Sequence, residues 1–456
     1  MTASADSRFD VVVVGAGFAG LAGAASLANA GMRVLVLDAR PQLGGRATAF
    51  VDRGTGELVD NGQHVLFGCY RETLAFLERV GASGNVSRQR SLSVPYLDRS
   101  GHRSELKCPT LLPAPLHLLA GVLRWKALPW KDRLSVGRIA APLRAARREL
   151  MTSGRVTLET RVTVAEWLRA CRQGPQLTDW LWEPLALAAL NQSPDEAQAE
   201  PFVRVLAEMF GPDPSAAAIV LPTRPLNQMY AEPARAFIEG RGGEVRTGAL
   251  ARIVADEHSV VAVEVRGDRI PATTVISAVP WFGVRTLFAE KPPACLSTLV
   301  DRAMSMVSKP IVTVNLWYDR RVMDELFVGL PGRMMQWVFD KRLAFGAEAS
   351  HLSLVASGAD AITSERSGDL VERARREVED AIPGARRATF IRGTVVREKQ
   401  ATFSLAAGQP PRPATRTALS GFFLAGDWID TGLPGTIESA VVSGHQAAAA
   451  VLESAR

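Results

Sequence analysis

The stretch Val11-Val12-Val13-Val14-Gly15-Ala16-Gly17-Phe18-Ala19-Gly20 decides the fold of this chain. Four β-branched residues in a row suit a strand buried on both faces, as in a parallel sheet. The glycines follow at the spacing of a tight turn into a helix: Gly15 permits the turn, Gly17 lets the backbone approach a pyrophosphate, and Gly20 lets the helix pack close on the strand. An Ala- and Leu-rich helix is predicted from about residue 18 to 30, stopping at Gly31. Its first residues, Phe18 and Ala19, direct free N–H groups and the helix dipole at the phosphate. A second strand, Arg33 to Leu37, leads into Asp38-Ala39-Arg40. Asp38 stands about 20 residues beyond the glycines, where a carboxylate accepts both ribose hydroxyls and disfavours a 2′-phosphate.

The glycine motif does not separate NAD from FAD. Gly44-Gly45-Arg46 does: two glycines bring the chain back to the pyrophosphate, and the arginine supplies a fixed donor fork. Near the other end stand Leu424-Ala425-Gly426-Asp427-Trp428 and Gly432-Leu433-Pro434-Gly435-Thr436-Ile437-Glu438, opening a last helix. The two ends read as halves of one FAD site. No second glycine motif is present, so no bound nicotinamide domain is expected and electrons exchange with an external donor.

At 456 residues the chain exceeds one core, and two domains are expected, with 47% hydrophobic residues to fill them. Cys69, Cys108, Cys171 and Cys295 are isolated, without metal-ligand spacing, which implies a reducing compartment and no metal site. The nucleotide fold starts by Asp10, leaving no room for a signal peptide, and no apolar run reaches the roughly 18 residues of a membrane span. A cytoplasmic protein is expected. The net charge of +6 is concentrated between His117 and Leu150, where Arg124, Lys126, Lys131, Arg133, Arg138, Arg144, Arg147 and Arg148 face only Asp132 and Glu149. Trp125, Trp130 and several leucines are interleaved with them. The pattern suits peripheral docking on the anionic inner face of the cell membrane, or equally a solvated helical face. It contains no nucleic-acid motif, and no nucleic-acid partner is expected.

The expected fold class is α/β: a Rossmann-type FAD-binding domain with a discontinuous α+β substrate domain that includes a helical lid. Residues 1–90, 216–280 and 415–456 are assigned to the FAD domain, and 91–215 and 281–414 to the substrate domain, with the candidate docking region at 117–150. Helices are predicted at about 71–80, 164–170 and 180–190. Strands are predicted at 260–265, 275–280, 310–318 and 351–356, the last two in a second sheet.

Gly15 to Gly20, Asp38, Gly44-Gly45-Arg46, the Gly242 to Pro280 segment and the Gly426-Asp427 to Glu438 ending together resemble the flavin amine oxidase and phytoene desaturase superfamily over nearly the whole chain. More narrowly, Asp60-Asn61-Gly62-Gln63-His64-Val65-Leu66, Leu181 to Asn191 and Thr431-Gly432-Leu433-Pro434 resemble the bacterial hydroxysqualene dehydroxylases. Asp38 departs from the superfamily, many of whose members carry the longer Glu. The resemblance implies adenine near Leu250, the ribityl or pyrophosphate region at Asp427, and the N-terminus of the last helix, from Pro434 through Thr436 and Ile437, at the flavin pyrimidine edge. It places Gly62 and Gln63 against the isoalloxazine, the glycine because a side chain would collide with the ring. Simple core packing also accounts for the last helix.

The chemistry implied is reductive: 12-hydroxysqualene loses its allylic hydroxyl and gains a hydride, giving squalene for hopanoid synthesis. Ionisation of the alcohol leaves an allylic cation, so the protein needs a proton donor and an apolar or aromatic tunnel. His64, in the flavin-adjacent motif, is the leading candidate donor, with Gln63 and Asp60 beside it; His64 could instead only hydrogen-bond the flavin. Phe67, Trp182, Trp317 and Phe339, with Asn191, are candidate substrate contacts, each of the aromatics more readily explicable as ordinary core. A carotenoid desaturase would use the same fold with hydride flowing from a polyene. An amine oxidase would need an aromatic cage and often a lysine-held water, and no lysine here lies in a recognisable flavin motif. A non-catalytic escort of prenyl lipids would have no need for two intact halves of a flavin site.

Overall fold

The computed structural model describes residues 9–54, 56–113, 115–158 and 161–456. Val11–Val14 is the central strand of a five-stranded parallel sheet, ordered Glu244–Arg246, Val34–Leu37, Val11–Val14, Val275–Ser277, Phe422–Leu424. Every side chain of Val11–Val14 and Val34–Leu37 is buried. Val11, Val13, Val34 and Val36 pack under the helices Phe18–Asn29 and Ile437–Ser454, while Val12, Val14, Leu35 and Leu37 join the larger core on the opposite face. Burial of each such side chain is worth roughly 1.5–3 kcal/mol. The first and last helices of the FAD-binding unit pack directly on each other, so the two ends of the chain meet across this sheet.

A seven-stranded sheet carries the other major surface, in the order Phe390–Phe403, Ser308–Tyr318, His351–Ser357, Trp337–Asp340, Phe327–Gly329, Ser93–Leu97, Arg103–Lys107. Its pairs are antiparallel except Phe327–Gly329 with Ser93–Leu97. Along Ser308–Tyr318 the alternation is strict: Val312, Val314, Leu316 and Tyr318 enter a core under the helix Ser367–Ala381, while Ile311 and Thr313 turn the other way, into a cavity. This period of two is what the sequence pattern anticipated.

From residue 91 the chain enters the seven-stranded sheet before any helix: Ser93–Leu97 and Arg103–Lys107 form a hairpin on its edge. Its turn is held by Asp98, whose Oδ1 accepts from the N–H groups of Ser100 and His102. Helices start at Leu116–Arg124 and continue through Trp130–Ser135, Ala140–Ser153, Val164–Ala170, Glu183–Leu190 and Ala199–Met209. After Glu244, Glu244–Arg246 and Val275–Ser277 enter the parallel sheet, while Ala251–Ala255, Val260–Val265 and Asp268–Pro271 form a separate antiparallel sheet.

Candidate functional site

One elongated cavity begins at the C-terminal ends of the parallel strands and runs beneath the substrate sheet, the place where open α/β sheets bind ligands. Its first part is lined by Gly15, Gly17, Phe18 and Ala19 from the turn and first helix, by Asp38, Ala39 and Arg40, and by Gly44, Gly45 and Arg46. Gly15 adopts φ +110°, and a Cβ on it would stand 2.9 Å from the Ala278 carbonyl oxygen. Gly20 does not line the cavity; a Cβ there would lie 1.8 Å from the Gly15 carbonyl oxygen, so its part is helix-to-turn packing. Asp38 accepts from the Ala16 N–H at 2.7 Å through Oδ2 and from the Arg40 N–H at 2.8 Å through Oδ1. Those bonds fix the carboxylate at the strand end and leave lone pairs for ribose hydroxyls.

The Gly44-Gly45-Arg46 loop is fastened by a residue that sequence reading missed. Tyr230 donates its hydroxyl to the Gly44 carbonyl at 2.8 Å and stacks on Phe18 with ring centroids 3.5 Å apart. Arg46 donates to the Ala401 carbonyl at 2.6 Å, pairs with Asp427, and lies over the Trp281 ring. The N-terminal and C-terminal halves of the site are thereby joined by an ion pair. Gly426, Asp427, Thr436 and Ile437 line the cavity and Pro434 does not. Thr436 caps the last helix, its hydroxyl accepting from the Ser439 N–H at 3.2 Å. Leu250 is 53% exposed at the cavity rim.

The middle of the cavity is bounded by Gly62, Gln63 and His64. Gly62 has φ +95°, which a side chain would strain, and faces Thr313 of the substrate sheet. The Nδ1 atom of His64 is sealed from solvent and has no protein partner among the described residues. Burial pushes the His64 imidazole down to about 4; Asp60 opposes that shift, while Lys341 and Arg46 add to it. His64 is therefore neutral at pH 7, which corrects the expectation of a histidine holding a proton near neutrality. Asp60 is also corrected. It lies outside the cavity, 3% exposed, accepting from Lys341 Nζ at 2.6 Å and from the Leu226 N–H at 2.9 Å. Lys341, itself 5% exposed, also donates to Gln63 Oε1 at 2.7 Å. The lysine that no motif revealed sits directly behind the central loop.

Beyond the loop the cavity becomes an apolar chamber walled by Phe67, Tyr96, Leu181, Phe210, Trp337 and Phe339. Of the aromatics expected to contact substrate, Phe67 and Phe339 are here. Trp182 is not: it is fully buried and donates Nε1–H to Gln173 Oε1 at 3.0 Å. Trp317 also lies outside, stacked between His351 and the Arg392 guanidinium. Asn191 borders the chamber, but its amide is spent on Lys309, Thr402 and Gly358.

The glycine turn, the free ribose acceptor, the orphaned His64 Nδ1 and the facing backbones of Gly17 and Gly45 form a cradle that fits FAD. Fold and cradle define an FAD-dependent oxidoreductase. The chain belongs to the family of flavin containing amine oxidoreductases, whose model matches residues 18–452. Within that family it is similar to the hydroxysqualene dehydroxylases: 28% identical to that of Rhodopseudomonas palustris, over 98% of this chain and 99% of the relative, and 27% to that of Sinorhizobium fredii, over 96% and 97%. It is 25% identical to the chloroplastic/chromoplastic 15-cis-phytoene desaturase of an Oncidium hybrid cultivar, over 97% of this chain and 78% of the relative. A Methanosarcina mazei oxidoreductase shares the fold, with a TM-score of 0.73 at 18% identity, covering 97% of this chain and 100% of that one. Putrescine oxidase bound to putrescine does so with a TM-score of 0.71 at 17% identity, covering 98% and 99%.

Proposed function

We propose that this flavoenzyme reductively removes the allylic hydroxyl of a C30 isoprenoid, converting 12-hydroxysqualene to squalene for hopanoid synthesis. The observation that carries this reading is the apolar chamber continuous with the flavin cradle, walled by Phe67, Tyr96, Leu181, Phe210, Trp337 and Phe339, which matches a hydrocarbon substrate. The match to dehydroxylases over their full length supports it further. Once bound and reduced by two electrons from an external donor, FAD would supply the hydride and be left oxidised.

The chain's own groups do the rest. Gly15, Gly17, Asp38, Gly45 and Arg46 would hold the dinucleotide, and Gly62 with Thr313 would bound the space left for its ring. The chamber excludes water from the allylic cation, and the faces of Phe67 and Phe339 stabilise its charge. His64 bonds the departing oxygen, and its protonated fraction, small at pH 7 and growing towards pH 4, passes that oxygen a proton. Because His64 is mostly neutral at pH 7, turnover is expected to rise as pH falls towards 4, and His64→Asn is expected to abolish that rise while retaining FAD.

The deciding experiment is anaerobic: photoreduced enzyme mixed with 12-hydroxysqualene in detergent, with the lipid product identified. Squalene is the expected product. The comparable similarity to plant phytoene desaturases favours one second reading, hydride abstraction from a polyene. Dehydrogenation of phytoene by the oxidised enzyme, with 12-hydroxysqualene left intact, would replace the first reading with the second.

A further inference from the structure

The helical segment that packs through Trp125 on Tyr96, a wall of the chamber, carries an exposed surface of unusual composition. Among the described residues between 111 and 138 the exposed large apolar side chains are Leu111 at 94%, Leu116 at 50%, Trp130 at 61% and Leu134 at 54%. Trp130 and Leu134 lie four residues apart on the helix Trp130–Ser135, hence on one face. Trp130 is the one tryptophan of the nine that is exposed. Around it Arg124, Lys126, Lys131 and Arg138 are exposed, and the nearest acid, Asp132, is turned inward to accept from the N–H groups of Gln176 and Leu177. The surface thus presents positive charge, three leucines and one indole ring, with no exposed carboxylate between residues 116 and 138.

The segment is built to hold this shape. Arg133 donates to the carbonyls of Leu123, Lys126 and Leu128 and lies over the Trp130 ring, clamping the turn between the helices Leu116–Arg124 and Trp130–Ser135. Directly beneath, Trp125 is buried, stacks on Tyr96 with centroids 5.0 Å apart, and donates Nε1–H to Ser104. Tyr96 is itself a wall of the apolar chamber. Trp125 and Tyr96 thus link this helical segment to the chamber wall.

We infer that Leu111, Leu116, Trp130 and Leu134, ringed by Arg124, Lys126, Lys131 and Arg138, form a docking face for an anionic lipid bilayer, seated over the apolar chamber. Apolar side chains at the headgroup boundary contribute burial, and each nearby basic group adds attraction to anionic lipid. The inference does not depend on which lipid the enzyme transforms.

The test is co-sedimentation of the FAD-loaded enzyme with vesicles of phosphatidylcholine alone or of equal parts phosphatidylcholine and phosphatidylglycerol. Binding to the anionic vesicles is expected, weakening with salt. Each of Lys126→Gln, Lys131→Gln and Arg138→Gln is expected to lower partitioning by about fivefold. Trp130→Ser/Leu134→Ser is expected to abolish it with FAD content and melting temperature unchanged. Independently of these variants, brominated lipid should quench wild-type fluorescence, and Trp130→Phe should remove that quenching. Failure of the wild type to sediment, quenching that survives Trp130→Phe, or self-association through this face in place of vesicle binding would overturn the inference.

Discussion

Lys341 and Asp60 show how much one pair of residues governs here. Their ion pair is almost wholly buried, and Lys341 also holds Gln63 against the cavity. Removal of one partner from a buried pair leaves an uncompensated charge, at a cost of ~3–5 kcal/mol. Lys341→Met is therefore expected to lower the urea midpoint strongly, and Lys341→Met/Asp60→Asn to recover much of the loss; equal losses in both variants would mean that the pair is not the source. His64 contributes with a defined sign. Its folded value of about 4 lies below the unfolded value of about 6.5, so between those limits the unfolded chain binds more protons. Stability from this group is full above pH 6.5 and declines as pH falls towards 4. The melting temperature of wild type should drop more steeply than that of His64→Gln across that window, and parallel curves would exclude the effect.

Among the elements, the contact between Phe18–Asn29 and Ile437–Ser454 has the least slack. A Cβ on Gly444 would lie 2.2 Å from the Ala19 carbonyl oxygen and 3.0 Å from the Gly23 nitrogen. Both neighbours are backbone, so Gly444→Ala must push the helices apart, at a cost of ~1–3 kcal/mol. Because the two helices aim their N-termini into the same cavity, weaker FAD retention on gel filtration should accompany the loss of stability. A fall in melting temperature with FAD retention unchanged would show that the helices shift without opening the site. These two helices were legible in the sequence because each start is marked locally, by the glycine turn before Phe18 and the Thr436 cap before Ile437. The Ser93 to Lys107 hairpin was not: it is completed by pairing with Phe327–Gly329, a partner far along the chain. For the same reason the Lys341–Asp60 pair, 281 residues apart, left no local signal. Trp182 and Trp317 were misplaced because an aromatic side chain reads alike in a core, a stack or a tunnel until its neighbours are known.

Across the whole molecule, the cavity is lined by segments from Val14 to Ala440, drawn from the parallel sheet, the Leu250 to Leu287 region and the substrate sheet. A cofactor held there touches both chain ends and both major sheets, so its binding free energy is added to the stability of the assembled molecule. If the unfolded chain has no affinity for FAD, the gain is ~2.7 kcal/mol at a free concentration a hundred times the dissociation constant. Stripped protein should therefore melt several degrees below the loaded form, and its melting temperature should climb with the logarithm of added FAD. The same titration should protect Arg40 and Arg46 backbone neighbours and the Gly62–His64 loop together in hydrogen exchange, since these lie on one cavity wall. Protection confined to the glycine turn would mean that the dinucleotide end binds alone, with the Gly62–His64 loop and the substrate sheet left outside the cofactor's reach.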